Sequence, residues 1–283
     1  MNKLFLCIVA IFIVNSLFYS HIADSKYQSI IHEIGTAYLI FNKNNYEYCP
    51  TMWDDENQSN GTFIISKRNN TDCIIFTKKD KTTFEYYYYT DKDILILYSD
   101  THLIGIYSNK ENFSLIGGCY NASSTLIEYK NKPDLYNPVN LLSVGKIWDN
   151  NLLNFWVEGV KGYGYEEKII ISSFSSGKQI MAPHIVMCKI YGFIIFNGVF
   201  KNDDLYRKNS RVKNVTINYS HDISIEDTRQ PQVFFLNDKS FSTDLIEFKI
   251  KDIYKGERWD DTCMTKLLFF SYDSPDIKST PDL

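Results

Sequence analysis

The chain lacks the features that mark most enzyme and nucleic-acid classes. Its 283 residues contain no block of Lys or Arg, and the formal charge is −4. Polyanion partners call for a basic field, so nucleic acid is excluded as a partner, and a purely electrostatic membrane patch with it. No two cysteines stand in CxxC spacing, which removes the common metal and dithiol motifs. Paired carboxylates and isolated histidines (His184, His221) occur, but none sits in a nucleophile or metal-ligand motif. Catalysis, a bound metal and a cofactor are therefore not expected. Alanine and other helix formers are scarce, and beyond the first residues no apolar run approaches the ~20 needed to span a bilayer.

What is present is the composition of a folded globular protein, 44% hydrophobic and 23% charged. Aromatics make up 16%, with 21 tyrosines, and Tyr and Phe favour strands. The length allows one large domain or two of ordinary size. Met1-Asn2-Lys3 precedes an almost wholly apolar Leu4–Val14. That pattern reads as a secretory signal peptide over 1–25, cut after Ser25 or after Ser20, with an uncleaved anchor as the alternative. Five cysteines then remain, Cys49, Cys73, Cys119, Cys188 and Cys263, and an odd number leaves one thiol unpaired. Cys49–Cys73 or Cys73–Cys119, and Cys188–Cys263, are the expected bridges. The alternative is that several are buried small hydrophobes.

Residues 26–132 alternate short apolar runs with polar turns. Strands are expected at Ala37–Phe41, Thr62–Ser66, Cys73–Thr77, Phe84–Tyr89, Ile94–Tyr98 and Leu103–Tyr107, and Asn42–Asn45 and Lys67–Asn70 read as turns. This is an antiparallel meander that closes into a small barrel or curls into a sandwich. In Tyr86-Tyr87-Tyr88-Tyr89 two rings face the core and two face out. A cavity holding a small apolar ligand, as in a lipocalin-like carrier, stays open as an alternative for this half. The Pro/Asn/Asp cluster around Pro133 marks a linker over 133–137.

In the second half, 138–274, strands are expected at Lys168–Ser172, Ile185–Asn197, Arg211–Tyr219, Val233–Leu236, Leu245–Ile250 and Leu267–Phe270. With long loops and no helical period this reads as a β-sandwich, followed by a polar tail over 275–283. Its organising stretch is Trp156-Val157-Glu158-Gly159-Val160-Lys161-Gly162-Tyr163-Gly164, a shaped loop because glycine permits positive φ and close approach. It is expected to close against Asp260-Asp261-Thr262-Cys263.

Four blocks occur in one order: Trp156–Gly164; Gly192–Gly198 followed by Lys201; Asn209–Lys213; and Ile253–Cys263. Together they resemble the discoidin-like family known as the NADase-type glycan-binding domain, over about residues 140–270. The resemblance implies a galactose-binding-like jelly roll and glycan binding. Two positions depart from the family. Lys266 stands where a glutamate is usual, and in related sugar-binding jelly rolls that glutamate often ligates calcium, which an ammonium cannot do. Glu166 stands where a further glycine is usual, so a differently shaped loop is expected.

The candidate glycan-binding residues are Trp156, Glu158, Tyr163, Asn209, Arg211 and Asp261. Each has a second role open to it. Trp156 stacks on a sugar or lies under the loop. Glu158 takes sugar hydroxyls or bonds loop amides or Arg211. Asn209 and Arg211 touch a ligand or pin the strand entry, and the Asp-Asp-Thr turn binds ligand or satisfies its own backbone. The expectation is an all-β, non-enzymatic protein, secreted or associated with the envelope. A discoidin-like jelly-roll sandwich would follow a smaller antiparallel β-meander or barrel, and the partner would be a glycan or glycoprotein on a cell surface or matrix. The alternatives are an envelope protein–protein interaction module and the small-ligand carrier.

Overall fold

The computed structural model describes residues 22, 25–29, 38–49, 59–110, 113–128, 130–132, 135–141, 150–175, 185–236, 240–272 and 276–278. The signal-peptide segment apart from Ile22 and Ser25, and Pro133, Trp148 and His184, lie outside them, as does most of the 275–283 tail. The chain forms two compact units, Met1–Leu97 with Gly105–Glu111, and Tyr98–Ile104 with Asn112–Leu283. No helix among the described residues is long and apolar enough to cross a membrane.

The first unit is built on a closed antiparallel barrel: β1 (Lys26–Ser29), β2 (Tyr38–Asn42), β3 (Asn45–Cys49), β4 (Ser59–Arg68), β5 (Thr71–Lys78), β6 (Thr83–Asp91), β7 (Ile94–Tyr98) and β8 (Leu103–Ser108). Pairing of Gln28 with Ser108 and Ser29 with Tyr107 closes it. Tight hairpins set the register. Asn69 and Asn70, between the paired Arg68 and Thr71, have φ of 50° and 64°. Positive φ at both central residues makes a turn whose twist matches its strands, and Asn tolerates that region. Alternate residues then point inward. Tyr27, Phe41, Tyr46, Phe63 and Phe76 are buried in ring-to-ring contact, joined by Ile74, Tyr88, Leu95 and Leu97. These rings form the packed interior of the barrel among the described residues. Tyr86 and Tyr88 belong to this interior cluster and Tyr87 and Tyr89 do not, as alternation requires.

Among its described residues the second unit is all-β apart from a six-residue helix and a short 3-10 turn, Pro138–Leu141. Its strands are β9 (Ser114–Leu115), β10 (Gly117–Ala122), β11 (Trp156–Val157), β12 (Lys168–Ser175), β13 (Ile185–Ile190), β14 (Gly192–Asn197), β15 (Ser210–Ile217), β16 (His221–Ser224), β17 (Gln232–Phe235), β18 (Phe241–Thr243), β19 (Leu245–Tyr254), β20 (Thr262–Ser271) and β21 (Asp276–Lys278); the helix α1 is Asp203–Lys208. Two antiparallel wings, β10-β12-β19-β15 and β20-β14-β17, are joined edge to edge by a two-residue parallel pairing, Ser210 with Thr262 and Arg211 with Cys263. The wings pack face to face. Phe193 of β14 meets Phe248 of β19 edge-on at 5.8 Å, and the Tyr120 hydroxyl of β10 donates to the Leu267 carbonyl of β20 at 2.8 Å. Inward positions of β19 (Ile246, Phe248, Ile250) are buried; of the residues between and beside them Leu245, Lys249 and Lys251 are not, while Glu247 is covered and paired with Lys168 at 2.9 Å.

Three expectations change. The second unit takes in β10, ahead of the 133–137 linker, because Cys119–Ala122 pair with Ile169–Ser172. The single run expected over Ile185–Asn197 is two strands that part at Tyr191: β13 pairs with β18 and β21, while β14 pairs with β17 and β20. Cys49, Cys73, Cys119 and Cys263 are free thiols, so none of the three proposed bridges forms, and Cys73 and Cys263 serve as buried small hydrophobes.

Candidate functional site

The glycine loop does close on the Asp-Asp-Thr-Cys turn. Trp156 pairs with Met264 and Val157 with Cys263. The Glu158 amide donates to the Thr262 carbonyl at 3.1 Å, and the Thr262 hydroxyl donates to the Tyr163 carbonyl at 2.8 Å. On its other side the same segment receives β15: the Ser210 amide donates to the Asp261 carbonyl at 3.0 Å. The segment Asp261–Met264, which holds one candidate itself, is thus the common neighbour of Trp156, Glu158, Tyr163 and Arg211.

Their roles divide sharply. Trp156 is fully buried and its indole N–H donates to the Ser124 carbonyl at 3.2 Å, so it lies under the loop and offers no face to a sugar. Glu158 is also fully buried. One carboxylate oxygen accepts the Val160 amide at 2.7 Å and the other the Thr262 amide at 3.4 Å. It bonds loop amides and not Arg211. Burial pushes its carboxyl up from 4.5 to about 7, helped by Asp261 and Glu167 and opposed by the two amides. Gly164, at φ 69°, packs against this side chain; a Cβ there would come within 2.7 Å of Glu158 Cγ.

Arg211 is buried and engaged. Nε and Nη2 grip both oxygens of Asp227 at 2.7 and 2.8 Å, and Nη1 donates to the carbonyls of Tyr206 (2.9 Å) and Asn209 (2.7 Å). Its guanidinium lies 4.8 Å from the Tyr206 ring centroid. The fork therefore ties the C-terminal end of α1 to β15, a use that Lys could not fill. Asn209 is the C-cap of that helix, its amide side chain donating to the Leu205 carbonyl at 2.9 Å. Of the two roles open to each, Trp156, Glu158, Asn209 and Arg211 take the scaffold role, and Trp156, Glu158 and Arg211 are buried, not displayed to a ligand.

Tyr163 and Asp261 are only partly covered. Burial and the neighbouring Asp260 and Glu128 raise the Asp261 carboxyl above its ordinary value. Residues that the sequence reading passed over complete the surface. Tyr165 is 47% exposed, its ring 6.4 Å from that of Tyr163 in an edge-to-face arrangement, and Lys255 Nζ sits 4.8 Å from the Tyr163 centroid. Glu166 adopts φ 68°, the left-handed region a glycine would occupy, and its carboxylate bridges Lys249 and Lys251, the latter at 2.6 Å. The loop so keeps a glycine-like turn at the departing position, and the two lysines hold the Glu166 carboxyl down at about 2.

Lys266, the other departure, is fully buried, and its ammonium donates to the Asn140 carbonyl at 2.8 Å. A cation is thus supplied there by the chain itself. Among the described residues no cluster of three His, Cys, Asp or Glu is placed to hold a metal.

The sequence profile described as "NAD glycohydrolase translocation F5/8 type C domain" matches residues 119–270, which begins at β10 and ends in β20. Two solved structures align with low similarity. One is the arabinofuranosyltransferase AftD from Mycobacteria (13% identity, TM-score 0.38, 57% of this chain and 11% of that one). The other is CpGH89CBM32-5 from Clostridium perfringens, in complex with GalNAc-beta-1,3-galactose (10% identity, TM-score 0.34, 56% of this chain and 96% of that one). The chain spans about a tenth of the first, and both scores are too low to transfer anything from these proteins. No curated protein matches the chain.

Proposed function

The chain belongs to the NAD glycohydrolase translocation F5/8 type C domain family, a discoidin-like family, and from that premise we propose that it is a non-enzymatic, carbohydrate-binding protein of the cell exterior or envelope. The observation that carries this reading is the loop carrying Tyr163 and Tyr165. It presents two tyrosine rings at the surface on a backbone fixed from beneath by Glu158 and Thr262. A pyranose has apolar C–H faces and a rim of hydroxyls. Aromatic rings take the first, and nearby carboxylates such as Asp261 accept from the second. Holding the loop in advance reduces the ordering that binding would otherwise require.

Recognition on this reading is reversible and makes or breaks no bond. What supports a non-enzymatic role is that the ionisable groups buried beside the loop are already engaged. Glu158 is held by two backbone amides and Arg211 by Asp227 and helix carbonyls. A glycan array probed with the full chain tests the proposal. Binding to at least one glycan that is abolished by Tyr165→Ala supports it. A folded chain that binds no glycan overturns it and leaves the protein–protein interaction module as the reading to pursue.

A further inference from the structure

We propose that the surface formed by Tyr163, Tyr165 and Lys255 takes an acidic saccharide, one whose ring bears a carboxylate or a sulfate. This rests on the carbohydrate-binding reading above and adds the charge of the ligand. The Tyr163 and Tyr165 rings meet at 70°, so they form two walls of a corner and not a flat platform. One wall accepts the C–H face of a sugar ring and the other its edge. At the rim of the corner Lys255 Nζ lies over the Tyr163 ring.

Lys255 differs from the lysines around it. Lys213 is paired with Asp252 at 2.8 Å, and Lys249 and Lys251 share Glu166. Lys255 is exposed and makes no ion pair among the described residues; its ammonium rests on the Tyr163 ring face. A cation on a π face is held only weakly at an exposed site. It keeps its hydrogen-bond donors for an anion. A charge-assisted bond from that ammonium would fix an acidic group beside a stacked ring, and a neutral sugar would forgo it.

The corner is also prebuilt. The Tyr163 carbonyl is held by the Thr262 hydroxyl, the Glu166 amide donates to the Ile250 carbonyl at 2.9 Å, and Glu166 is clamped by its two lysines. Both tyrosines therefore stand on fixed backbone on either side of Gly164.

The experiment measures binding of the full chain to matched neutral, uronate-bearing and sulfated oligosaccharides at two salt concentrations. Wild type, Lys255→Ala and Lys255→Arg are compared. The expected result is preference for the acidic members, roughly tenfold or more loss in Lys255→Ala, retention in Lys255→Arg, and weakening with salt. Equal binding of neutral and acidic members overturns the inference and leaves carbohydrate recognition standing, as does acidic binding that survives Lys255→Ala. A folded chain that binds none of these glycans, nor any glycan on the array, overturns both. Lys255 contributes no core contact, so circular dichroism of the variant should be unchanged.

Discussion

Replacing Glu158 by glutamine should change how stability depends on pH, and the size of the effect follows from the burial of this one carboxyl. In the folded chain Glu158 holds its proton up to about pH 7, whereas an unfolded chain releases it near 4.5. Between those values the folded state binds about one proton more than the unfolded state. Stability is therefore highest below the unfolded value and falls as pH rises through the window. A separation of about 2.5 pH units corresponds to roughly 3 kcal/mol lost between pH 4 and pH 8. Glutamine cannot ionise, so the variant lacks this loss. It also has one acceptor oxygen where Glu158 has two serving the Val160 and Thr262 amides. One buried amide is then left unpaired at a cost of about 1–3 kcal/mol, independent of pH. Glu158→Gln should be the less stable protein at pH 5, and the gap should close or reverse by pH 8. Urea unfolding of both proteins at unit pH steps measures the difference, and the other titrating groups cancel in it. A difference that stays constant across pH 4–8 would refute the reasoning, because it would mean that Glu158 titrates alike in folded and unfolded chains.

Other substitutions test the scaffold. Asp227→Ala strips both oxygens from a buried guanidinium; the loss should be about 2–3 kcal/mol in denaturant unfolding, less than for a fully buried pair because the Asp227 side chain is 36% exposed and water screens it. Since the Arg211 pairing holds the Asp227 carboxyl below its ordinary value against the opposing effect of burial, the deficit of Asp227→Ala should shrink as pH falls through the acid range. Gly164→Ala should destabilise by about 1–2 kcal/mol or more, since alanine would meet both positive φ and the Glu158 side chain, and thermal unfolding reads this directly. Trp156→Ala should cost about 3–5 kcal/mol, so any loss of glycan binding in that variant must be matched against its unfolding curve. Thiol labelling of the native protein should modify the exposed Cys119 quickly and reach Cys73 and Cys263 only on unfolding, as four free thiols require.

Strand positions in the barrel were legible because hydrophobic alternation and Asn-rich turns are local signals. Asn69-Asn70 states both the turn and its twist. The same signals hid β3. Asn45-Tyr46-Glu47-Tyr48-Cys49 begins inside a cluster that reads as a turn, and its single buried ring, Tyr46, is too little to show a period. Helix α1 escaped for a related reason: six residues complete fewer than two turns and present no amphipathic repeat. Its ends were nonetheless written in the chain. Asn202 caps it through the Leu205 amide, Asp203 and Asp204 open it, and Arg207 and Lys208 close it.

Side-chain direction in the candidate site was beyond local pattern. The spacing of Trp156, Glu158 and the glycines announces a shaped loop, but the two-residue strand β11 buries both Trp156 and Val157, so alternation does not sort inside from outside there. What sorts them is the partner strand β20, a hundred residues downstream, every residue of which is buried. Trp156 and Val157, which pair with that strand, are enclosed with it, and the chain emerges at Gly159–Lys161 and again at Tyr165. For the same reason the scaffold pair and the surface pair were missed together. Asp227 meets Arg211 across 16 residues and Lys255 meets Tyr163 although 92 positions part them in the chain, contacts that exist only once β15, β19 and β20 are laid side by side. The most conspicuous residues of the loop are therefore the ones that build it, and its capacity to bind falls to plainer neighbours that this framework holds at the surface.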